Sequence, residues 1–130
     1  MNKVLIVDDN AFDRKMIQRA IAAKGVPVEF MELEGGHDAA RTIAEITPKV
    51  AIVDIRMPGM DGFEVLESIR MTPGISNTPV LIVSGSEQAE DRVMAEQRGA
   101  DGYFVKPPSA SAYYSLGREI YDRYLCCCAD

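Results

Sequence analysis

Short apolar runs alternate with longer amphipathic segments, and this alternation constrains the fold more than any other feature of the sequence. Three of the runs are continuous and rich in β-branched residues, as in parallel strands covered by helices on both faces. The strands are predicted at Lys3–Val7, Val28–Leu33, Lys49–Val53, Pro79–Val83 and Tyr103–Val105. Strands separated by helices of about 10–15 residues indicate right-handed βαβ units around a parallel sheet.

The intervening segments predict five helices. The first runs from Ala11 to about Lys24 and has a single apolar face, which we expect to lie in the core. That face comprises Phe12, Met16, Ile17, Ala20 and Ile21. The other helices are predicted at 37–46, 63–70, 88–98 and 109–126. Asp61 is expected to cap the start of the helix predicted at 63–70, with Gly62 in its first turn.

Composition narrows the classes of function. The chain has 130 residues and no linker or low-complexity stretch, so we expect one domain over residues 1–130. Its net charge of −6 argues against direct contact with nucleic acid. No apolar run approaches the roughly 18 residues that span a bilayer, and no secretory signal precedes the first strand, so a cytoplasmic protein without a membrane partner is expected.

Polar residues follow four of the predicted strands. Asp8 and Asp9 follow the first strand, Asp54 the third, Ser84 the fourth and Lys106 the fifth. Ligands of an open parallel sheet bind outside the carboxyl ends of its strands, so these side chains should share one pocket. Clustered carboxylates repel each other unless a cation such as Mg²⁺ offsets their charge. The lysine and the hydroxyl could hold phosphoryl oxygens, while one carboxylate could act as a nucleophile.

Four motifs occur in order along the chain: VDDN, VDIRMPGMDG, LIVSG and FVKPP. With them, about residues 2–125 resemble a response-regulator receiver domain of two-component signalling, of the chemotaxis-receiver type. The resemblance implies a flavodoxin-like α/β fold. This is a three-layer (βα)5 sandwich with a five-stranded parallel sheet in the order 2-1-3-4-5.

The resemblance also implies a role for each acidic residue. Asp54 would be the phosphoacceptor, taking a phosphoryl group from a phosphohistidine of a histidine kinase or histidine phosphotransfer protein. Asp9, Asp54 and the backbone carbonyl of Arg56 would bind Mg²⁺, and Asp8 would act largely through water. The chain would catalyse only its own phosphoryl transfer and its dephosphorylation by hydrolysis.

The same resemblance implies a switch. Lys106 would pair with the phosphoryl group, Ser84 would move toward it, and the Tyr103 side chain would change rotamer in concert. The Lys106–Pro107 bond would be cis, as X–Pro bonds can be. The face formed by helix 4, strand 5 and helix 5 would then bind a downstream protein or a second copy of the chain.

Two departures leave the lifetime of the phosphorylated form open. Arg56 and Ser86 occupy positions that tune the access of water in this family, and their effect here cannot be assigned from the sequence. The consecutive Cys126, Cys127 and Cys128 match no spaced metal or disulfide pattern, so an apolar or frayed helix end is favoured over redox or metal chemistry.

Other functions fit the residues less well. A receiver fold used only as a constitutive binding module would lose the acidic pair, Asp54 or Lys106, and this chain retains all of them. A haloacid-dehalogenase-type phosphatase needs a second aspartate at the position of Arg56. A P-loop motif is absent, and a flavodoxin would need a loop rich in Ser, Thr and Gly where Asp8 and Asp9 lie.

Overall fold

Five parallel strands form one sheet in the order β2-β1-β3-β4-β5 within residues 2–126, which the computed structural model describes. The strands are β1 (Asn2–Val7), β2 (Val28–Leu33), β3 (Val50–Val53), β4 (Val80–Ser84) and β5 (Gly102–Val105). The helices are α1 (Ala11–Ala22), α2 (Ala39–Ile46), α3 (Gly62–Met71), α4 (Ala89–Gln97) and α5 (Ala110–Ile120), and a π-helical turn, Tyr121–Leu125, continues α5. This arrangement confirms the predicted flavodoxin-like fold and strand order.

The central strands separate two apolar cores. Val4 and Ile6 of β1 pack with residues of α1 and α5, whereas Leu5 and Val7 face α2, α3 and α4 on the opposite side. These four residues are all fully buried. Successive side chains of a strand point to opposite faces, so a strand covered on both sides must be apolar at every position. The uninterrupted apolar runs of the sequence therefore reflect the central position of their strands.

The prediction that Phe12 belongs to the core is wrong. Its four predicted companions on α1 are buried, but the Phe12 side chain is 68% exposed. Phe12 lies in the first turn of α1, which begins beyond the carboxyl end of β1. The ring lines a groove with Pro107 and Pro108 instead of packing on the sheet.

The start of α3 is held close to the end of β3. The Asp61 carboxylate accepts a hydrogen bond from the Glu64 N–H, and the Glu64 carboxylate accepts one from the Asp61 N–H, each at 3.0 Å. This reciprocal capping confirms the predicted role of Asp61. A side chain at Gly62 would collide with the main chain of Asp54 and Ile55, so glycine is required for this close approach.

The end of the chain is described only in part. Cys127 and Cys128 lie outside the described residues, so the question raised by the three cysteines stays open for them. Cys126 is exposed, and its main-chain N–H donates to the Tyr121 carbonyl at 2.8 Å. Among residues 2–126, no helix has both the length and the apolar character needed to cross a membrane.

Helices α1 and α5 pack together through a glycine. A Cβ atom added at Gly117 would lie 2.5 Å from both the carbonyl carbon and the Cβ of Ala20. Glycine inside a helix is normally unfavourable by about 1 kcal/mol relative to alanine. Its presence in α5 therefore indicates that close contact between the two helices outweighs helix propensity.

We predict that Gly117→Ala lowers the free energy of unfolding by about 1–3 kcal/mol, because main-chain atoms of α1 must move to admit the methyl group. Gly35→Ala is the matched control, since a Cβ there meets nothing within 4 Å. It should change stability by no more than about 0.5 kcal/mol. Urea unfolding of both variants measures the difference, and equal stabilities would contradict the packing argument.

Candidate functional site

The carboxyl ends of β1 and β3 bring three aspartates together. Asp8, Asp9 and Asp54 each offer a carboxylate oxygen, and these oxygens lie within 4.8 Å of one another. Asp8 and Asp54 are buried, whereas Asp9 is exposed. Main-chain hydrogen bonds extend past the strand ends, from the Asp8 N–H to the Leu33 carbonyl and from the Asp54 N–H to the Val7 carbonyl. The sheet therefore fixes the main-chain positions from which the Asp8 and Asp54 side chains project.

Lys106, just beyond β5, places its ammonium group among the carboxylates. Its Nζ atom lies 3.0 Å from Asp8 Oδ2 and 3.4 Å from Asp54 Oδ2. A third and shorter contact, at 2.7 Å, joins it to Asp13 Oδ2 in the first turn of α1. One side chain thus forms ion pairs with residues of three separate segments.

Burial disturbs the ionisation of these groups. Removal from water and, to a smaller extent, the neighbouring Asp8 raise the pKa of Asp54 to about 6, against the opposing effect of Lys106. Burial likewise raises the pKa of Asp8. For Lys106, burial disfavours the charged form, but hydrogen bonds to Asp13 and Asp8 outweigh it, so the pKa of the ammonium is raised. The lysine therefore stays charged, whereas the ionised form of Asp54 is less favourable in the folded protein than in water.

The donor set is suited to a hard divalent cation. Carboxylate oxygens are the protein ligands that Mg²⁺ prefers, and one or two of them commonly share the metal with phosphate oxygens and water. A cation near Asp8, Asp9 and Asp54 would favour the charged carboxylates and so oppose the effect of burial, and of Asp8, on the pKa of Asp54. The chemistry of the three residues thus fits a metal site.

The predicted switch residues meet at the loop after β4. Ser84 is fully buried, and its hydroxyl accepts a hydrogen bond from the Ser86 N–H at 3.3 Å. The Tyr103 ring lies inward, only 8% exposed, and its hydroxyl donates to the Ser86 carbonyl at 2.9 Å. Ser86 is therefore bonded to both residues, although they lie on different strands.

The Arg56 side chain is ion-paired with α4. Its guanidinium pairs with the Asp91 carboxylate of α4 at 3.0 Å, and the same carboxylate oxygen accepts a hydrogen bond from the Ser86 hydroxyl. These contacts connect the loop after β3 with the loop after β4 and with α4. The loops border a cleft of about 490 Å³ lined by Asp54, Arg56, Gly85, Ser86, Glu87, Gln88 and Lys106.

The predicted cis bond at Pro107 is wrong. The Lys106–Pro107 bond is trans, as is every peptide bond in the part of the chain that the structure describes. The two isomers of an X–Pro bond differ by only about 0.5–1 kcal/mol, so packing decides between them. Here the trans form already lets the Lys106 ammonium reach the buried carboxylates.

Sequence reasoning missed three residues around the site. Asp13 and Tyr113 join the lysine in one hydrogen-bonded group, in which the Tyr113 hydroxyl donates to Asp13 Oδ1 at 3.1 Å. Buried Arg14 donates to the Asp8 carbonyl at 2.6 Å and to Glu32 at 2.8 Å. The hydrogen bond from Arg14, together with one from Lys15, lowers the pKa of Glu32 to about 2. The buried arginine therefore braces the end of β1.

The comparisons with known proteins agree with this geometry. Residues 4–115 match the family described as the response regulator receiver domain. A protein-glutamate methylesterase/protein-glutamine glutaminase of Myxococcus xanthus is 35% identical over 121 residues, which are 91% of this chain. The chain spans only 34% of the length of that relative.

Solved structures share the fold over almost the whole chain. The phosphorylated cyanobacterial phytochrome response regulator RcpA superposes with a TM-score of 0.85 at 26% identity, covering 95% of this chain and 94% of RcpA. The chemotaxis protein CheY4 of Vibrio cholerae superposes with a TM-score of 0.78 at 28% identity, covering 92% of this chain and 98% of CheY4.

We predict that Asp54→Asn stabilises the metal-free protein near neutral pH, by on the order of 2 kcal/mol. The pKa of Asp54 is about 6 in the folded protein, against an ordinary value of 3.8. The folded state binds more protons between these values, so its stability falls as the pH rises from 3.8 to 6. The advantage of the variant should therefore shrink toward pH 4 and below.

Urea unfolding in the presence of a chelator, repeated across this pH range, measures the effect. Glu45→Gln, which removes a charge from an exposed position on α2, serves as the control. A stability difference between wild type and Asp54→Asn that stays constant with pH would contradict the prediction.

Proposed function

Because the chain belongs to the response regulator receiver domain family, we propose that it acts as a phosphoacceptor switch in two-component signalling. Asp54 takes a phosphoryl group from a phosphohistidine of a histidine kinase or a histidine phosphotransfer protein. The observation that carries the proposal is the position of Asp54, a buried carboxylate beside both Asp8 and the Lys106 ammonium. The related RcpA has been solved in a phosphorylated form, which supports a phosphoryl-accepting role for this chain.

The chemistry proposed for Asp54 is nucleophilic. One carboxylate oxygen attacks phosphorus, the phosphorus–nitrogen bond to the donor imidazole breaks, and the nitrogen leaves with the bonding pair. Transfer of a phosphoryl group depends mainly on positioning and on stabilising its negative charge. Lys106 lies close enough to Asp54 to contact an oxygen of the transferred group.

Asp9, Asp54 and the backbone carbonyl of Arg56 are proposed to hold Mg²⁺, with Asp8 acting largely through water. The bound cation supplies positive charge to the phosphoryl oxygens. Asp8 and Asp54 supply buried negative charge, and Asp9 adds an accessible carboxylate at the rim. The close approach of the Asp8, Asp9 and Asp54 carboxylate oxygens supports a cation at this position.

The proposed switch runs through the loop after β4. A phosphoryl group on Asp54 attracts the Ser84 hydroxyl, which accepts a hydrogen bond from the Ser86 N–H, so its rotation toward the phosphoryl group changes the geometry of this bond. Tyr103 is bonded to the carbonyl of the same Ser86, so movement of the loop alters the tyrosine contact. The face formed by α4, β5 and α5 changes with it and controls a downstream protein target or a homodimer.

The remaining parts of the proposal follow from this role. Residues 1–130 act as a single receiver domain, and hydrolysis of the acyl phosphate resets it, so the chain catalyses only its own phosphorylation and dephosphorylation. The cytoplasm is the proposed compartment, because histidine kinases take their phosphoryl group from ATP. Direct contact with nucleic acid is not part of the proposal, in keeping with the net charge of −6.

Incubation of the purified protein with acetyl phosphate and Mg²⁺ tests the proposal. Intact-mass spectrometry should show one added phosphoryl group on wild type and none on Asp54→Asn, which retains the shape of the side chain but lacks the nucleophile. Failure of the wild-type protein to gain the group, or equal gain by the variant, would refute the assignment of Asp54.

Mg²⁺ should raise the thermal midpoint of the wild-type protein, because a ligand that binds only the folded state stabilises it, and the effect grows with the logarithm of the ligand concentration above the Kd. Asp9→Asn should reduce the shift at a given Mg²⁺ concentration by removing a proposed ligand. Glu45→Gln makes the same change of charge at an exposed helical position and should retain the wild-type shift. Equal responses of both variants would argue against direct ligation by Asp9.

A further inference from the structure

A fourth carboxylate competes for the lysine of the site. The Lys106 ammonium lies 2.7 Å from Asp13, 3.0 Å from Asp8 and 3.4 Å from Asp54. Its shortest ion pair is therefore with a residue of α1, and its longest is with the proposed phosphoacceptor. All four side chains are at least four-fifths buried, so water screens these charges only weakly.

The Asp13 carboxylate is itself held in place from two sides. The Tyr113 hydroxyl of α5 donates to one carboxylate oxygen, and Lys106 donates to the other. The Asn10 side chain accepts from the Asp13 N–H at 3.0 Å and so fixes the start of α1. Asp13 is thus held in a fixed position beside the lysine by contacts with other parts of the fold.

We propose that Asp13 is a positioning residue, which holds the Lys106 ammonium away from Asp54 and thereby slows phosphoryl transfer to Asp54. The inference rests on the proposed function, because it concerns the lysine that is assigned to the phosphoryl group. In the structure the Lys106 ammonium donates a hydrogen bond to Asp13, and it also forms ion pairs with Asp8 and Asp54. Contact with a new phosphoryl oxygen requires the lysine to weaken or leave one of these contacts.

Removal of the Asp13 charge should release the lysine toward Asp54. We expect Asp13→Asn to raise the maximal rate of phosphorylation by acetyl phosphate about threefold or more, at saturating Mg²⁺, with a smaller change in the donor concentration that gives half the maximal rate. Time-resolved intact-mass measurements over a range of acetyl phosphate concentrations separate these two quantities. Glu45→Gln controls for the change in net charge and should match wild type.

Two kinetic results would overturn the inference. A lower half-saturating concentration with an unchanged maximal rate would show that Asp13 only repels the anionic donor. An unchanged or lower maximal rate would show that the lysine does not need to leave Asp13 for transfer.

The side-chain ammonium signal of Lys106 provides a second test that requires no phosphorylation. In ¹⁵N-lysine-labelled, metal-free protein, Asp13→Asn should shift this signal, which Lys106→Arg identifies by its loss, whereas Glu45→Gln should leave it in place. An unshifted signal would refute the pairing itself. If the signal shifts but wild type accepts no phosphoryl group, the proposed function fails while the contact between Asp13 and Lys106 stands.

Discussion

The ion pairs of Lys106 hold together a pocket whose acids would otherwise repel one another. Two of those acids, Asp8 and Asp54, are buried, and burial raises the pKa of both. An isolated buried carboxylate loses several kcal/mol of hydration, which a neighbouring ammonium only partly returns. Because Lys106 lies beyond β5 and reaches residues at the ends of β1, β3 and the start of α1, one side chain joins all four segments. A change in the charge or position of any one of these carboxylates therefore alters the ion pairs that Lys106 forms with the other two.

The stability needed to maintain this arrangement comes from the sheet. The main-chain hydrogen bonds of the sheet continue into Asp8 and Asp54, so the main chain of neither residue can move outward unless these bonds break. The two apolar cores hold the strands in register on both faces. The carboxyl edge of the sheet therefore holds buried carboxylates at an unfavourable electrostatic free energy, while two apolar cores stabilise the fold beneath it. Sites of this kind commonly depend on the stability of the surrounding fold.

The sequence predicted those features that depend on local pattern, and it failed where contacts across the fold decide the outcome. Continuous apolar runs identify central strands, and the carboxyl ends of parallel strands must share one edge, so the grouping of Asp8, Asp9 and Asp54 followed from position alone. Asp13 did not stand out, because an acid in the first turn of a helix is usually explained by the helix dipole. Its partners, Lys106 and Tyr113, are distant along the chain and meet it only after α1 and α5 have packed. Phe12 was misplaced for a similar reason: helical period identifies a face but not where the underlying sheet ends.

The loop after β4 connects the end of that strand with β5, with α4 and, through Asp91, with Arg56. Ser86 uses its N–H with Ser84, its carbonyl with Tyr103 and its hydroxyl with Asp91, so every polar group of this residue is committed to a different element. Asp91 in turn is paired with Arg56, two residues from Asp54. In the proposed switch, movement of the Ser84 hydroxyl toward a phosphoryl group changes the geometry of the first of these bonds, and the bonds to Tyr103 and Asp91 belong to the same residue. A packed loop with several such bonds shifts between discrete arrangements instead of deforming gradually, which is the property that a two-state switch requires.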